Sequence, residues 1–153
     1  MTEPLQTTIR RLGPGDEELV RTLAESTPQT ALLADDRTIF LAAFVGDEPV
    51  GFVFGYDLPR RHGAASILFV YEVDVAPAYR RRGIAKRLLT ELLRIGAARG
   101  AVEGFVLTEP ENLAANALYA SVGGVRSDVV MWDIPKNALA DRPIDHTRGS
   151  WIR

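Results

Sequence analysis

The sequence predicts an α/β fold: a mixed, mostly antiparallel sheet with one parallel step, made through a helix, in its middle. Three observations carry this. Thr38–Val45, Val50–Leu58 and Ala65–Val75 are apolar, β-branched runs divided by short turn-forming stretches, the pattern of strands joined in succession as hairpins. Val70–Gly100 then reads as strand, basic loop and amphipathic helix. Finally, Val102–Thr108 is a further apolar run, and a right-handed crossover through that helix makes it a parallel neighbour of Val70–Val75.

Taken in order, Thr7–Leu12 suits a first strand, and Gly13-Pro14-Gly15-Asp16 a turn whose aspartate caps a short helix through Leu19, Val20 and Leu23. Pro28 opens a second short segment, Gln29–Leu33, which ends in Asp35-Asp36. Gly46-Asp47-Glu48-Pro49 turns the first hairpin, and Pro59–Gly63 is a basic loop holding His62. Along Val70–Val75 the expected alternation sets Val70, Glu72 and Asp74 against Tyr71, Val73 and Val75. Pro77 has no N–H to give and ends the ladder. From Ile84 the apolar residues recur at Leu88, Leu92 and Ile95, widened by Leu89 and Leu93, which is helical spacing; Gly100 stops the helix. Asn112 caps a helix to Val122, ended by Gly123-Gly124, and Val125–Ile134 reads as a last, antiparallel strand closed by Pro135.

The 153 residues form one domain, expected to bury about 70% of its unfolded surface. Residues 1–135 carry the elements, and 136–153 form a polar tail with Trp151, whose role the residues do not decide. Hydrophobic content of 46% and charged content of 25% are those of a soluble globule. There is no cysteine, hence no disulfide and no thiol nucleophile, and His62 and His146 lack any metal-ligand spacing, so no metal is expected. A net charge of −2 argues against a nucleic-acid partner. No run reaches the roughly 20 apolar residues of a membrane span, and Met-Thr-Glu-Pro is no export signal, so the expectation is a cytoplasmic protein.

Charge is unevenly placed. Arg80, Arg81, Arg82 and Lys86 surround Gly83 at the start of a helix, where free N–H groups, the positive dipole end and a residue without a Cβ favour a phosphate. A solvated basic corner is the plainer alternative. Asp35, Asp36, Glu72, Asp74, Glu109, Glu111 and Asp133 supply the opposite sign, so an anionic ligand and a cationic one are both suggested. In open sheets ligands sit where strand connectivity switches, here the end of Val70–Val75 beside Val102–Thr108.

Two of these stretches resemble the general N-acetyltransferase (GNAT) superfamily. Arg80-Arg81-Arg82-Gly83-Ile84-Ala85 is similar to its R/Q-x-x-G-x-G/A loop, and Asn112-Leu113-Ala114-Ala115-Asn116-Ala117-Leu118-Tyr119 to its N-x-x-A-x-x-L-Y helix. Thr38–Phe44, Tyr56–Pro59, Val70–Glu72 and Val130–Ile134 look like the small aminoglycoside 3-N-acetyltransferases of the gentamicin-resistance type, although those carry Asp where Glu72 stands.

The resemblance implies acetyl-CoA as cofactor. Arg80–Lys86, including Ile84 and Ala85, would cradle its diphosphate, and Val73 and Val75 would pair with the pantetheine like an added strand. Asn112 and Ala115 would line its path. Aminoglycoside amines are mostly protonated at neutral pH, so a base is needed, and Glu72 is the candidate; a water relay beside a merely cation-binding Glu72 stays open. Tyr119 is the candidate acid for the leaving thiolate. Asp35, Asp36, Asp74, Glu109, Glu111 and Asp133, with Glu72, are candidates to hold a polycationic amine. A different amine acceptor (a polyamine, a small metabolite or a protein N-terminus) and a non-catalytic acyl-CoA sensor stay open, and a homodimer is the commonest assembly for such a domain.

Overall fold

The computed structural model describes residues 5–24 and 27–139. Five strands, β1 (Thr7–Arg11), β2 (Thr38–Val45), β3 (Glu48–Pro59), β4 (Ser66–Val75) and β5 (Ala101–Val106), lie in sequence order in one sheet. The first four are antiparallel and β5 is parallel to β4, reached through helix α2 (Ile84–Ala98). The predicted mixed sheet with a parallel crossover is therefore found. Its other helices are α1 (Glu17–Leu23), α3 (Leu113–Ser121) and α4 (Lys136–Leu139), with a 3₁₀ turn at Thr30–Ala34.

Helix α2 lies across one face of the sheet because its stripe, Ile84, Leu88, Leu89 and Leu92, is wholly apolar and matches Ile39, Leu41, Val53, Leu68 and Val70 beneath it. Leu88 and Leu92 are 0% exposed, and burying each contributes about 1.5–3 kcal/mol. Gly96 brings the last turn close: a Cβ there would stand 2.8 Å from Leu68 Cδ2. The opposite face is covered over β2 and β3 by α1 and the 3₁₀ turn, where Leu12, Val20 and Leu33 pack on Phe40, Phe44 and Phe54.

Three expectations need correction. Asp16 stands at the N-cap of α1, yet its carboxylate makes no capping bond; it accepts from the Gly13 N–H at 2.9 Å and from Arg10 at 3.0 Å. Val125–Ile134 is not a strand: among the described residues 125–134 have no ladder partner, with Val125 92% and Trp132 84% exposed. The parallel step consequently sits at the sheet's edge rather than in its middle. The third concerns β4, whose alternation slips. Phe54 is paired with Glu72 but Gly55 with Val70, so Tyr71 is an extra residue, a β-bulge. Val70, Val73 and Val75 consequently share the α2 face, while Tyr71, Glu72 and Asp74 share the other. Of the tail, only Lys136–Leu139 falls within the described residues, and Trp151 and His146 lie outside them.

Candidate active site

The loop after β4 is built to present backbone N–H groups. Pro77–Tyr79 makes one 3₁₀ turn, then Arg81 at φ 60° and Gly83 at φ 78° reverse the chain into α2. Gly83 suits that left-handed conformation, and nothing lies within 4 Å of the position a Cβ would take, so its freedom serves the turn and the space outside rather than packing. The first intrahelical bond comes from Arg87 to the Gly83 carbonyl. Among the described residues the N–H groups of Arg81, Arg82, Gly83, Ile84, Ala85 and Lys86 have no acceptor. Free donors converging at a positive dipole end form an anion-binding concavity. The side chains contribute less than the loop's charge suggests. Arg82 lies over the Tyr79 ring at 6.0 Å, and Arg80 turns back onto the strand.

Next to this loop the sheet opens. The β4–β5 ladder runs from Ser66–Ala101 to Val70–Val106 and stops, although β4 continues to Val75 on its β3 side. Val75 turns its N–H and C=O into the opening, where the N–H donates to Asp74 Oδ1 at 2.8 Å and the carbonyl accepts from Arg80 Nε at 2.7 Å. Two residues earlier, Val73 has the same backbone orientation. Arg80 also meets Asp74 Oδ1 at 3.2 Å. Asp74 is thereby committed to the loop, not offered to a cation.

Glu72 is exposed at the bulge, on the face opposite Val73, as the sequence suggested. The slip in register makes it so by a different route, since Tyr71 now lies on the same side. Tyr119 is half-buried, packed against the α2-side core, and burial raises its hydroxyl's pKa above the ordinary value, keeping it protonated. It lines a cavity of about 820 Å³ between β5 and α3, together with Asn112, Asn116 and Glu109. Asn112 caps α3 by accepting the Ala115 N–H at 3.1 Å. Asn116, beyond the sequence candidates, ties the preceding loop down, donating to the carbonyls of Asn112 at 2.8 Å and Glu109 at 3.0 Å.

The remaining carboxylates do not converge. Asp36 pairs with Arg99 at 3.1 Å, and Arg99 also grips buried Asp57 at 3.1 Å, which locks the far end of α2 to the sheet. Arg99 holds the Asp36 pKa below the usual carboxylate value. Asp35 accepts the Arg37 N–H at 2.9 Å and sits close enough to Tyr56 for its charge to help raise that phenol's pKa, after burial and Tyr71. Glu111 and Asp133 are exposed on the α3 loop and the unpaired 125–134 segment. Among the described residues no group of three metal-ligating side chains occurs.

A sheet that opens beside a loop of free N–H groups fits a ligand that carries an anionic group. The family model for the acetyltransferase (GNAT) family matches residues 7–123, and the chain belongs to that family. Its acetyl donor is acetyl-CoA, and the unbonded amides of residues 81–86 fit the diphosphate of that group. Among curated relatives, the aminoglycoside N(6')-acetyltransferase type 1 of Salmonella typhimurium is 28% identical over 116 residues, covering 69% of this chain and 79% of that protein. The N-alpha-acetyltransferase RimI of Mycobacterium tuberculosis is 45% identical over 83 residues, 52% of this chain and 50% of that one. The L-2,4-diaminobutyric acid acetyltransferase of Methylotuvimicrobium alcaliphilum is 45% identical over 53 residues, and the chain spans only 29% of its length. Among solved structures, the aminoglycoside acetyltransferase HMB0005 from an uncultured soil metagenomic sample superposes with a TM-score of 0.77 at 34% identity, covering 85% of this chain and 98% of that one.

Proposed function

We propose that this protein moves the acetyl group of acetyl-CoA onto an amine of an aminoglycoside, by direct attack in a ternary complex. The observation that carries the reading is the bulge at Tyr71, which turns Glu72 to the open face beside the point where β4 and β5 part. When bound, acetyl-CoA supplies an electrophilic thioester carbonyl. The amides of Arg81–Lys86 would hold the diphosphate, and the Val73 amide, facing the opening, would stabilise negative charge on the thioester oxygen. Pairing of the pantetheine at Val75 requires Asp74 and Arg80 to release its N–H and C=O. Glu72 would accept the proton of the incoming ammonium, which frees the nitrogen lone pair; Tyr119, kept protonated by burial, would give its proton to the thiolate, and the second proton shed by the nitrogen as the amide forms would restore its hydroxyl. With no cysteine in the chain, a covalent acetyl-thiol relay has no nucleophile.

The aminoglycoside acceptor is supported by the names of the HMB0005 and Salmonella relatives. The resemblance in sequence favours the 3-amino group of 2-deoxystreptamine, with resistance to gentamicin-type drugs as the consequence. The N(6') relative supports the 6'-amine as a second reading, and the RimI match supports a peptide N-terminus as a third. Release of free CoA with gentamicin, kanamycin, a polyamine and an alanyl peptide, followed by NMR location of the acetylated nitrogen, tests all three. Turnover with gentamicin and acetylation at N3 is expected. Turnover with the peptide alone overturns the aminoglycoside reading.

A further inference from the structure

The face that carries Glu72 also carries a continuous run of aromatic rings, and the described residues cover only part of it. Under α1 and the 3₁₀ turn, Phe40 and Phe54 are buried against each other at 5.3 Å. Beyond that cover the rings continue outward. Phe54 meets Tyr71 at 5.0 Å, Tyr71 meets Phe69 at 5.5 Å and 74°, and Phe69 stacks on Phe105 at 4.6 Å and 7°. Tyr56 closes the cluster, edge-on to Tyr71 at 5.5 Å and 84°. Tyr71 is 56% exposed and Phe105 43%. Helix α2 covers the opposite face, so it does not shield these rings.

Here the four outward residues, Tyr56, Phe69, Tyr71 and Phe105, are all aromatic, and aromatic faces attract cations. The charges around them agree. Glu72 adjoins Tyr71 on the same face, Asp35 acts electrostatically on Tyr56, and Arg37 is already engaged with Asp35 Oδ1. The bulge turns Glu72 outward onto the face where alternation from Phe69 already sets Tyr71.

We infer that Tyr71, with Phe69 and Phe105, forms an aromatic shelf that binds the ring of a cyclic polyamine acceptor, its C–H face against the side chains and its ammonium groups toward Glu72. This rests on the aminoglycoside reading above and assigns the acceptor's subsite within it. Tyr71 is a binding residue with no share in proton transfer. A perpendicular packing against both Phe69 and Tyr56 fixes its ring while leaving more than half of its surface to solvent. The phenol hydroxyl is not part of the inference, so phenylalanine should replace tyrosine at this position without loss.

The test uses the full chain with gentamicin and no acetyl-CoA. Titration calorimetry on wild type, Tyr71→Phe and Tyr71→Leu is expected to show Tyr71→Phe within twofold of wild type. Tyr71→Leu, which keeps apolar area but loses the π face, should weaken gentamicin binding by about 3- to 30-fold. Affinity for CoA, unchanged in both variants, reports an intact fold. Saturation transfer from aromatic protons to the gentamicin ring protons should fall in parallel, and Phe105→Leu on the neighbouring strand provides a second variant should Tyr71→Leu fail to fold. Equal gentamicin affinity in the leucine variants, or a Tyr71→Phe loss as large as that of Tyr71→Leu, overturns the shelf. Binding that depends on Tyr71 without any release of CoA would uphold the shelf and sink the acetyltransfer reading. Release of CoA with a KM for gentamicin indifferent to Tyr71→Leu would do the reverse.

Discussion

The two halves of β4 keep different company, and the difference locates the chemistry. Ser66–Val70 is paired on both sides, antiparallel to β3 and parallel to β5, with Leu68 and Val70 sealed under α2. Tyr71–Val75 is paired on the β3 side alone, begins with a bulge, and exposes Tyr71 and Glu72. One half is scaffold: aliphatic, dry and satisfied. The other has backbone groups facing an opening, a carboxylate turned outward and a loop of free amides at its end. Where the ladder stops, backbone groups that another strand would otherwise consume are left for a ligand, which is why the proposed site lies there.

The comparison breaks most sharply at Glu72. Glu72→Gln should lower kcat by about 10²- to 10⁴-fold while leaving the affinity for CoA unchanged, read as CoA release at saturating donor. Unaltered turnover would strip Glu72 of its role as base. In the scaffold half, Leu88→Ala should cost about 2–5 kcal/mol of stability, read from urea unfolding, since Leu88 is 0% exposed beneath the sheet. A loss as small as that of a surface change would mean that α2 is not the clamp described. Gly83→Val places a β-branched residue at φ 78°, and the strain in the loop should raise the KM for acetyl-CoA by about tenfold with a smaller effect on the amine. Asn112→Ala removes the cap of α3 and should cost about 1 kcal/mol.

The smallest expected effect is electrostatic and lies at the far end of α2. Arg99 lowers the Asp36 pKa, so the folded state favours the charged carboxylate, and the stabilisation is present above the unfolded value and lost as pH falls through the lowered one. Melting temperatures of wild type and Asp36→Asn should differ slightly at neutral pH and converge in acid below the ordinary carboxylate range. A difference that grows on acidification would reverse the assigned sign.

Strand order through β4, the α2 stripe and the Asn112 cap were readable because each depends on neighbours a few residues away. The turn of the basic loop into α2 was readable for the same reason: a glycine at a helix start is a local statement. The slip at Tyr71 was not. Val70–Val75 alternates without interruption on paper, and only pairing with Phe54 and Gly55 reveals the extra residue. The aromatic shelf had a visible trace, Phe52, Phe54 and Tyr56 in step and Phe69 and Tyr71 likewise, but the share of it left uncovered depended on where α1 came to rest. The seven acidic candidates were scattered by tertiary structure: Asp74 went to Arg80 and Asp36 to Arg99, while Glu72 came to the open face. The unpaired segment 125–134 has a strand's composition, yet composition alone supplies no partner.

By itself the sequence determined the class of sheet, the amphipathic clamp across it and the glycine turn of free amides that opens α2, because hydrophobic period and turn chemistry act over short range. The tertiary structure alone decided which way Glu72 and Tyr71 face, where β4 loses its second partner and which carboxylates are consumed by arginines. Those are outcomes of register and of contacts between distant residues, and a one-residue slip is enough to exchange the faces of a strand.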